Sequence, residues 1–199
     1  MNYGKGGQNN TASQGAENTA VDDNPNTHTP EQMASIEEYK NSVDASMVNY
    51  IERVRNGEKL SPYNVAPVTN RAAADILRLT GKVTYGNTVV LDRNGIEHID
   101  KRHGDGKGSA DATMKNAEDI ARIGYVLDNY DDVYLSKERE KGYLGSDGKT
   151  APKVVFVKKI DGTYIAVEAV CDTKAKKNYV VSAFISSTGT DRLKIAEPQ

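Results

Sequence analysis

Two hydrophobic periods divide the chain. Up to about Asn129 most apolar residues recur every three or four positions, as on one face of a helix. Met33, Ile36, Val43, Met47, Tyr50 or Ile51, and Val54 predict one long amphipathic helix whose methionines belong to the core. It opens at Thr29-Pro30, where Gln32 completes a capping-box spacing, and stops at Asn56-Gly57. The two prolines of SPYNVAPV (61–68) predict an irregular crossing, followed by a short helix from Asn70 to about Thr80. NTVVLD (87–92) reads as a short strand and RNGIEHIDKRHG as a helix. A further helix is expected from about Met114 to Asn129, with Ala117, Ile120, Ile123 (or Gly124) and Leu127 on its apolar face.

Beyond Asn129 the period changes to two. DDVYLS is a brief strand, KEREKGYLGSDGKTA a polar loop, and PKVVFVKK, TYIAVEAVCD and NYVVSAFISS are three strands in succession. Asp161-Gly162 is a two-residue hairpin signal, and TKAKK turns the second hairpin. Helices first and strands last predict an α+β fold, with N-terminal helices packed on a C-terminal antiparallel meander. The expected organisation is a disordered tail over 1–28, a helical segment over 29–85 and the main domain over 86–199.

Composition sharpens this picture at three points. Residues 1–28 are rich in Asn, Gly, Gln, Thr and Ser, with little to bury, so they cannot offset their ordering entropy; such a tail suits a module of a larger polypeptide. A net charge of −2 over 199 residues argues against a protein that coats nucleic acid, while leaving room for a local basic groove. The single cysteine, Cys171, lies in an apolar run and is expected as a buried thiol, so no intrachain disulfide forms. With no membrane-length apolar stretch and no signal-peptide pattern, a cytoplasmic location is expected.

The chemistry concentrates in HIDKRHGDGKG (98–108). On a helical wheel Ile96, Ile99 and His103 lie within about 60° of one another, whereas His98 and Arg102 share a different face. The two histidines therefore point apart. Neither the four-residue spacing nor the acids and cysteines of a zinc site are present, so no metal is expected. GDGKGS lacks phosphate-loop spacing and reads as a flexible loop from which Lys107 can touch phosphate. An imidazole at a helix C-terminus also has a purely structural use, through the helix dipole. Histidine beside a fixed guanidinium nevertheless suits attack of a ribose 2′-hydroxyl on its own phosphodiester.

The strands supply a second half. A hairpin centred on Ala175 sets Glu168 opposite Ser182, on the face away from Ile165, Val167, Ala169 and Cys171. Tyr164, Glu168 and Ser182 then form a surface able to receive substrate, the simpler alternative being a solvated sheet face.

A helix carrying HIDKRHG, a second helix and a meander ending in YVVSAFISS resembles the barnase–EndoU–colicin–RelE superfamily of metal-independent RNases, and most of all its phage-encoded and contact-dependent-toxin branches. The resemblance spans about 86–190 and rests on a motif of the form H-I-x-x-R-H. It implies a toxin- or phage-associated endoribonuclease, with tRNA a candidate substrate and no cofactor. His98 or His103 would be acid or base and Arg102, with Lys101, would bind phosphate; Ser182 matches a polar position on the last strand. Glu168 as general base follows from strand parity alone, and Lys101, Lys107 and Tyr164 are the expected substrate contacts. Such a toxin implies an acidic immunity protein or antitoxin over a basic rim at Lys107, Lys153 and Lys174 to Lys177. The alternative is a catalytically silent binding module of a phage or mobile-element polyprotein; ADP-ribosyl transfer lacks its residue set.

Overall fold

The computed structural model describes residues 28–105, 110–137 and 143–190. The expected N-terminal tail, apart from His28, and Lys107 lie outside these residues. The fold is α+β. A six-stranded mixed sheet runs in the order β1-β2-β6-β5-β4-β3. Its strands are β1 (Tyr63–Pro67), β2 (Thr88–Leu91), β3 (Asp132–Leu135), β4 (Lys153–Ile160), β5 (Thr163–Asp172) and β6 (Lys177–Ser186). The helices are α1 (Pro30–Asn41), α2 (Ala45–Arg55), α3 (Asn70–Thr80), α4 (Arg93–His103), α5 (Ala117–Ile120) and α6 (Ile123–Asn129). All neighbouring strands are antiparallel except β2 and β6, which run parallel from Thr88↔Lys177 to Leu91↔Val180.

Local chemistry breaks two helices that periodicity reads as continuous. The capping box of Thr29 and Gln32 starts α1 as expected. The Asp44 carboxylate then accepts the backbone N–H groups of Ser46 and Met47 and begins α2 afresh. Met47, Tyr50, Ile51 and Val54 are buried on α2, whereas Met33 on α1 is 49% exposed and outside the core. The helix expected over Met114–Asn129 is likewise two short ones. Asn116 and Asp119 form a capping box before α5, and Arg122, between the helices, pairs with Asp119 at 3.1 Å and lies over the Tyr39 ring.

The expected irregular crossing at 61–68 is strand β1. It is an edge strand with a register shift between Asn64 and Ala66, and Pro67 is its last residue, a position where a missing N–H costs little. Residues 29–85 thus supply a strand to the sheet, and their Met47, Ile51, Val54 and Ile76 join the same apolar cluster as Val154, Phe156, Val167 and Ala169. Cys171 is buried in that cluster, and burial pushes its thiol up to about 12.

The hairpins follow their turn residues. Asp161 and Gly162 take φ of 49° and 72°, the left-handed conformations of a tight two-residue turn. Glu168 does face Ser182, but the register is not uniform. Nearer the turn Ala169 pairs with Val180 and Val170 with Tyr179, so Val181 is an extra residue in β6. That bulge brings Tyr179 and Ser182, three apart in sequence, onto one face. The face is not the solvated surface that strand alternation allows. Tyr134, Val155, Val157, Ala166 and Phe184 form a second apolar cluster there, and Glu168 and Ser182 are 7% and 3% exposed.

Helix α4 is placed by contact with β6. Asp92 caps it by accepting the Gly95 N–H at 2.9 Å, and Ile96 and Ile99 enter the main core. A Cβ at Gly95 would run into the Val180 carbonyl oxygen, so the helix lies closer to the strand than any other residue allows. At its other end Arg55 pairs with Asp100 through two nitrogens, at 2.6 and 3.2 Å, tying α4 to α2. Gly95→Ala should therefore destabilise the fold by at least about 1–3 kcal/mol, the usual range for overpacking. Urea unfolding of the two proteins checks this, and an unchanged midpoint would contradict the close approach.

Candidate active site

Helix α4 and the second sheet face converge on a group of ionisable side chains. His98 and Arg102 project from the exposed side of α4, as the helical wheel requires. Across from them, the Lys153 ammonium donates to Glu168 Oε2 at 2.9 Å, both residues being more than nine-tenths buried. Partial burial lowers the proton affinity of His98 below its ordinary 6.5. The Glu168 charge opposes this, while Arg102, His103 and Lys153 add to it. His98 is thus mainly neutral at pH 7, in a field set by the helix and the sheet together.

His103 occupies a second position five residues along. Its ring stacks on Phe184 with centroids 5.1 Å apart, and Nδ1 lies 2.9 Å from Asp111 Oδ2. The chain returns to α4 to make this pair. The Asp111 and Met114 N–H groups donate to the Arg102 and His103 carbonyls, which the end of the helix leaves without helical partners. Thr113 closes the arrangement, with Oγ1 donating to Asp111 Oδ1 and accepting from the Ile185 N–H. Burial of Asp111 works against its charge, but hydrogen bonds from Thr113 and His103 prevail and hold it below the ordinary carboxylate range. A carboxylate on Nδ1 fixes ring orientation and leaves Nε2 to exchange protons.

The sequence-predicted residues divide accordingly. His98, Arg102, His103 and Glu168 belong to one electrostatic neighbourhood. Ser182 is the cross-strand partner of Glu168 and almost fully buried. Lys101 is exposed on α4. Tyr164 sits four residues along β5 from Glu168, roughly 13 Å at the rise of a strand, where it packs in the second apolar cluster near Gly189. The expected basic rim needs a correction: Lys153, 4% exposed and paired with Glu168, belongs to the site and not to a surface, because the strand carrying it runs beneath that face. Lys174 and Lys176 are exposed and Lys177 is half-buried.

One residue escaped the sequence reading, and another was assigned to the wrong surface. Asp111 lies eight positions past His103 in a stretch without periodicity, and only chain reversal brings it back. Lys153 opens a strand whose alternation is masked by an apolar run, VVFV, so its inward direction was not legible.

A family model described as phage-Barnase-EndoU-ColicinE5/D-RelE like nuclease3 matches residues 65–192. No curated protein and no solved structure matches the chain. Among the described residues no helix is long and apolar enough to cross a membrane.

The electrostatics can be tested directly. His98 should titrate below 6.5 in an NMR pH series, and Arg102→Gln should move its midpoint upward by removing a cation that opposes protonation. A wild-type midpoint at or above 6.5 would contradict this environment. Lys153→Met should destabilise the protein by about 3–5 kcal/mol through the stranded Glu168 charge, and much of that loss should return in Lys153→Met/Glu168→Leu. Urea unfolding of the single and double variants measures it.

Proposed function

The chain belongs to the phage-Barnase-EndoU-ColicinE5/D-RelE like nuclease3 family, and from that premise we propose that it is a metal-independent endoribonuclease using His98 and His103 as a general base and acid pair. The observation that carries this reading is that one helix presents two imidazoles on different faces, His98 beside Arg102 and His103 stacked on Phe184 and held by Asp111. Partial burial lowers the proton affinity of His98, and a carboxylate holds His103 through Nδ1.

In this reading the neutral His98 removes the proton of a ribose 2′-hydroxyl. The 2′-oxygen attacks the adjacent phosphorus, the bond from phosphorus to the 5′-oxygen breaks, and a proton from His103 Nε2 goes to the leaving 5′-oxygen. The products are a 2′,3′-cyclic phosphate and a 5′-hydroxyl. Arg102, exposed beside His98, binds the non-bridging oxygens and stabilises the charge that develops on them, with Lys101 a further cation on the same helix. Glu168 acts through the side chains around it: its carboxylate neutralises the buried Lys153 and supports His98 protonation during the transfer. Ser182 lies against it across the strand pair.

Incubation with total tRNA in EDTA should yield fragments with cyclic-phosphate ends. His98→Ala and His103→Ala should each lower the rate about 10²–10⁴-fold, and Arg102→Ala should lower it as well, with native circular dichroism retained in all three. Full activity in the His98→Ala/His103→Ala double variant would overturn the assignment. The sign of the pH dependence follows from His98. The base works only when neutral, so activity should fall as pH drops through a value below 6.5 and not at or above it.

A further inference from the structure

A cavity of about 330 Å³ opens beside His98, at the N-terminal end of α4. The proposed chemistry uses only the His98 edge of it. Its walls are the Val170 and Val181 side chains of the sheet, Tyr179 from β6 and Tyr143 from the loop before β4. Ser146 ties the described part of this loop to the end of β5. Asp172 accepts the Ser146 N–H and hydroxyl at 2.7 and 3.0 Å, and also the Ala175 N–H at 2.9 Å. Burial opposes the Asp172 charge, but these hydrogen bonds hold the carboxyl below its ordinary range. Both Asp172 oxygens are thus committed to structure.

Asp92 is different. One of its oxygens caps α4 through the Gly95 N–H, and the other has no hydrogen-bond partner among the described residues. Asp92 lines the cavity together with Asp172 and Tyr179. Two carboxylates in one wall repel phosphate, so the cavity does not suit the backbone of a nucleic acid. Apolar walls with two tyrosines suit a flat aromatic group, and an available carboxylate oxygen suits one whose edge donates a hydrogen bond.

We propose that this cavity is a nucleobase subsite, that it takes the base on the 5′ side of the scissile phosphate, and that it favours an amino-bearing base (adenine, cytosine or guanine) over uracil. The proposal rests on the endoribonuclease reading for its polarity. His98 borders the cavity and acts on the 2′-hydroxyl, which belongs to the nucleotide 5′ of the cut. His103, at the other end of α4, faces the leaving 5′-oxygen of the next nucleotide. RNA therefore runs 5′ to 3′ along α4 from its N-terminus to its C-terminus, with its 5′-side base held in the cavity. An exocyclic amino group donates to Asp92, whereas uracil offers a carbonyl at the equivalent position and leaves two acceptors facing each other.

The deciding experiment is an NMR titration of the protein with cytidine 3′-monophosphate and uridine 3′-monophosphate. The cytidine nucleotide should perturb Tyr179 and His98 and bind at least about tenfold more tightly, as expected for a hydrogen bond to a charged group. Asp92→Asn should bring the two affinities to within a few-fold, with the helix cap intact because Asn caps as well as Asp. Asn94→Trp, at the exposed rim of the cavity, should weaken binding of both. Equal affinities in the wild type, or shifts confined to residues outside the cavity, would overturn the subsite. Mapping tRNA cuts in EDTA separates the two proposals. Cuts that avoid uridine on their 5′ side support both, and cuts indifferent to that base overturn the subsite alone. Absence of cleavage with selective nucleotide binding overturns the nuclease reading and leaves a base-binding cavity.

Discussion

The close approach of α4 to β6 is the constraint on which the rest of the site depends. Gly95 has no side chain to hold the helix away from the Val180 carbonyl, so the backbones meet there. Beyond that contact the helix follows β6 to Phe184, on which His103 stacks. Ile96 and Ile99 anchor one side of α4 in the main core, which obliges His98 and Arg102 to face the other way. The parallel pairing of β2 with the first part of β6 sets where α4 starts, and the Asp92 cap sets its first turn. A helix a few ångströms farther out would carry His98 away from Glu168 and Lys153, whose charges act on it.

The sheet contributes charge where a core would normally be apolar. Lys153 and Glu168 lie among Val155, Val157, Ala166 and Phe184, with their charges paired at 2.9 Å. A buried pair of this kind is not an economical way to stabilise a fold, since desolvating both ions offsets much of their attraction. The pair also acts electrostatically on His98. The two charges act on His98 in opposite senses, Glu168 favouring its protonation and Lys153 opposing it more weakly, while partial burial of the imidazole is the largest influence. His103 receives the complementary treatment, a carboxylate on one ring nitrogen and an aromatic face beneath it.

Much of the architecture was legible because it is written in short-range patterns. The Thr29–Gln32 capping box, helix α3, the Asp161-Gly162 turn and the order of the last strands all follow from neighbours within a few residues. The misreadings have the same origin. Apolar spacing continued through Val43 and Asp44 although the aspartate restarts the helix, and two prolines hid an edge strand able to tolerate them. In the site, the opposite faces of His98 and His103 were legible from α4 alone. The Glu168–Ser182 pairing was also right, but the register on which it was based holds only beyond the Val181 bulge.

By itself the sequence determined which side chains share a face of each element, because helical and strand periods are properties of the local backbone. It therefore specified the histidine pair, the guanidinium beside His98 and the glutamate in an apolar strand. Tertiary structure decided what those faces meet. Closure of the chain around 110–114 brought Asp111 to His103, the packing of β4 against β5 turned Lys153 inward, and the bulge in β6 placed Tyr179 and Ser182 on one face. Such contacts depend on how distant segments exclude water and satisfy one another's polar groups, and no spacing between neighbouring residues encodes that outcome.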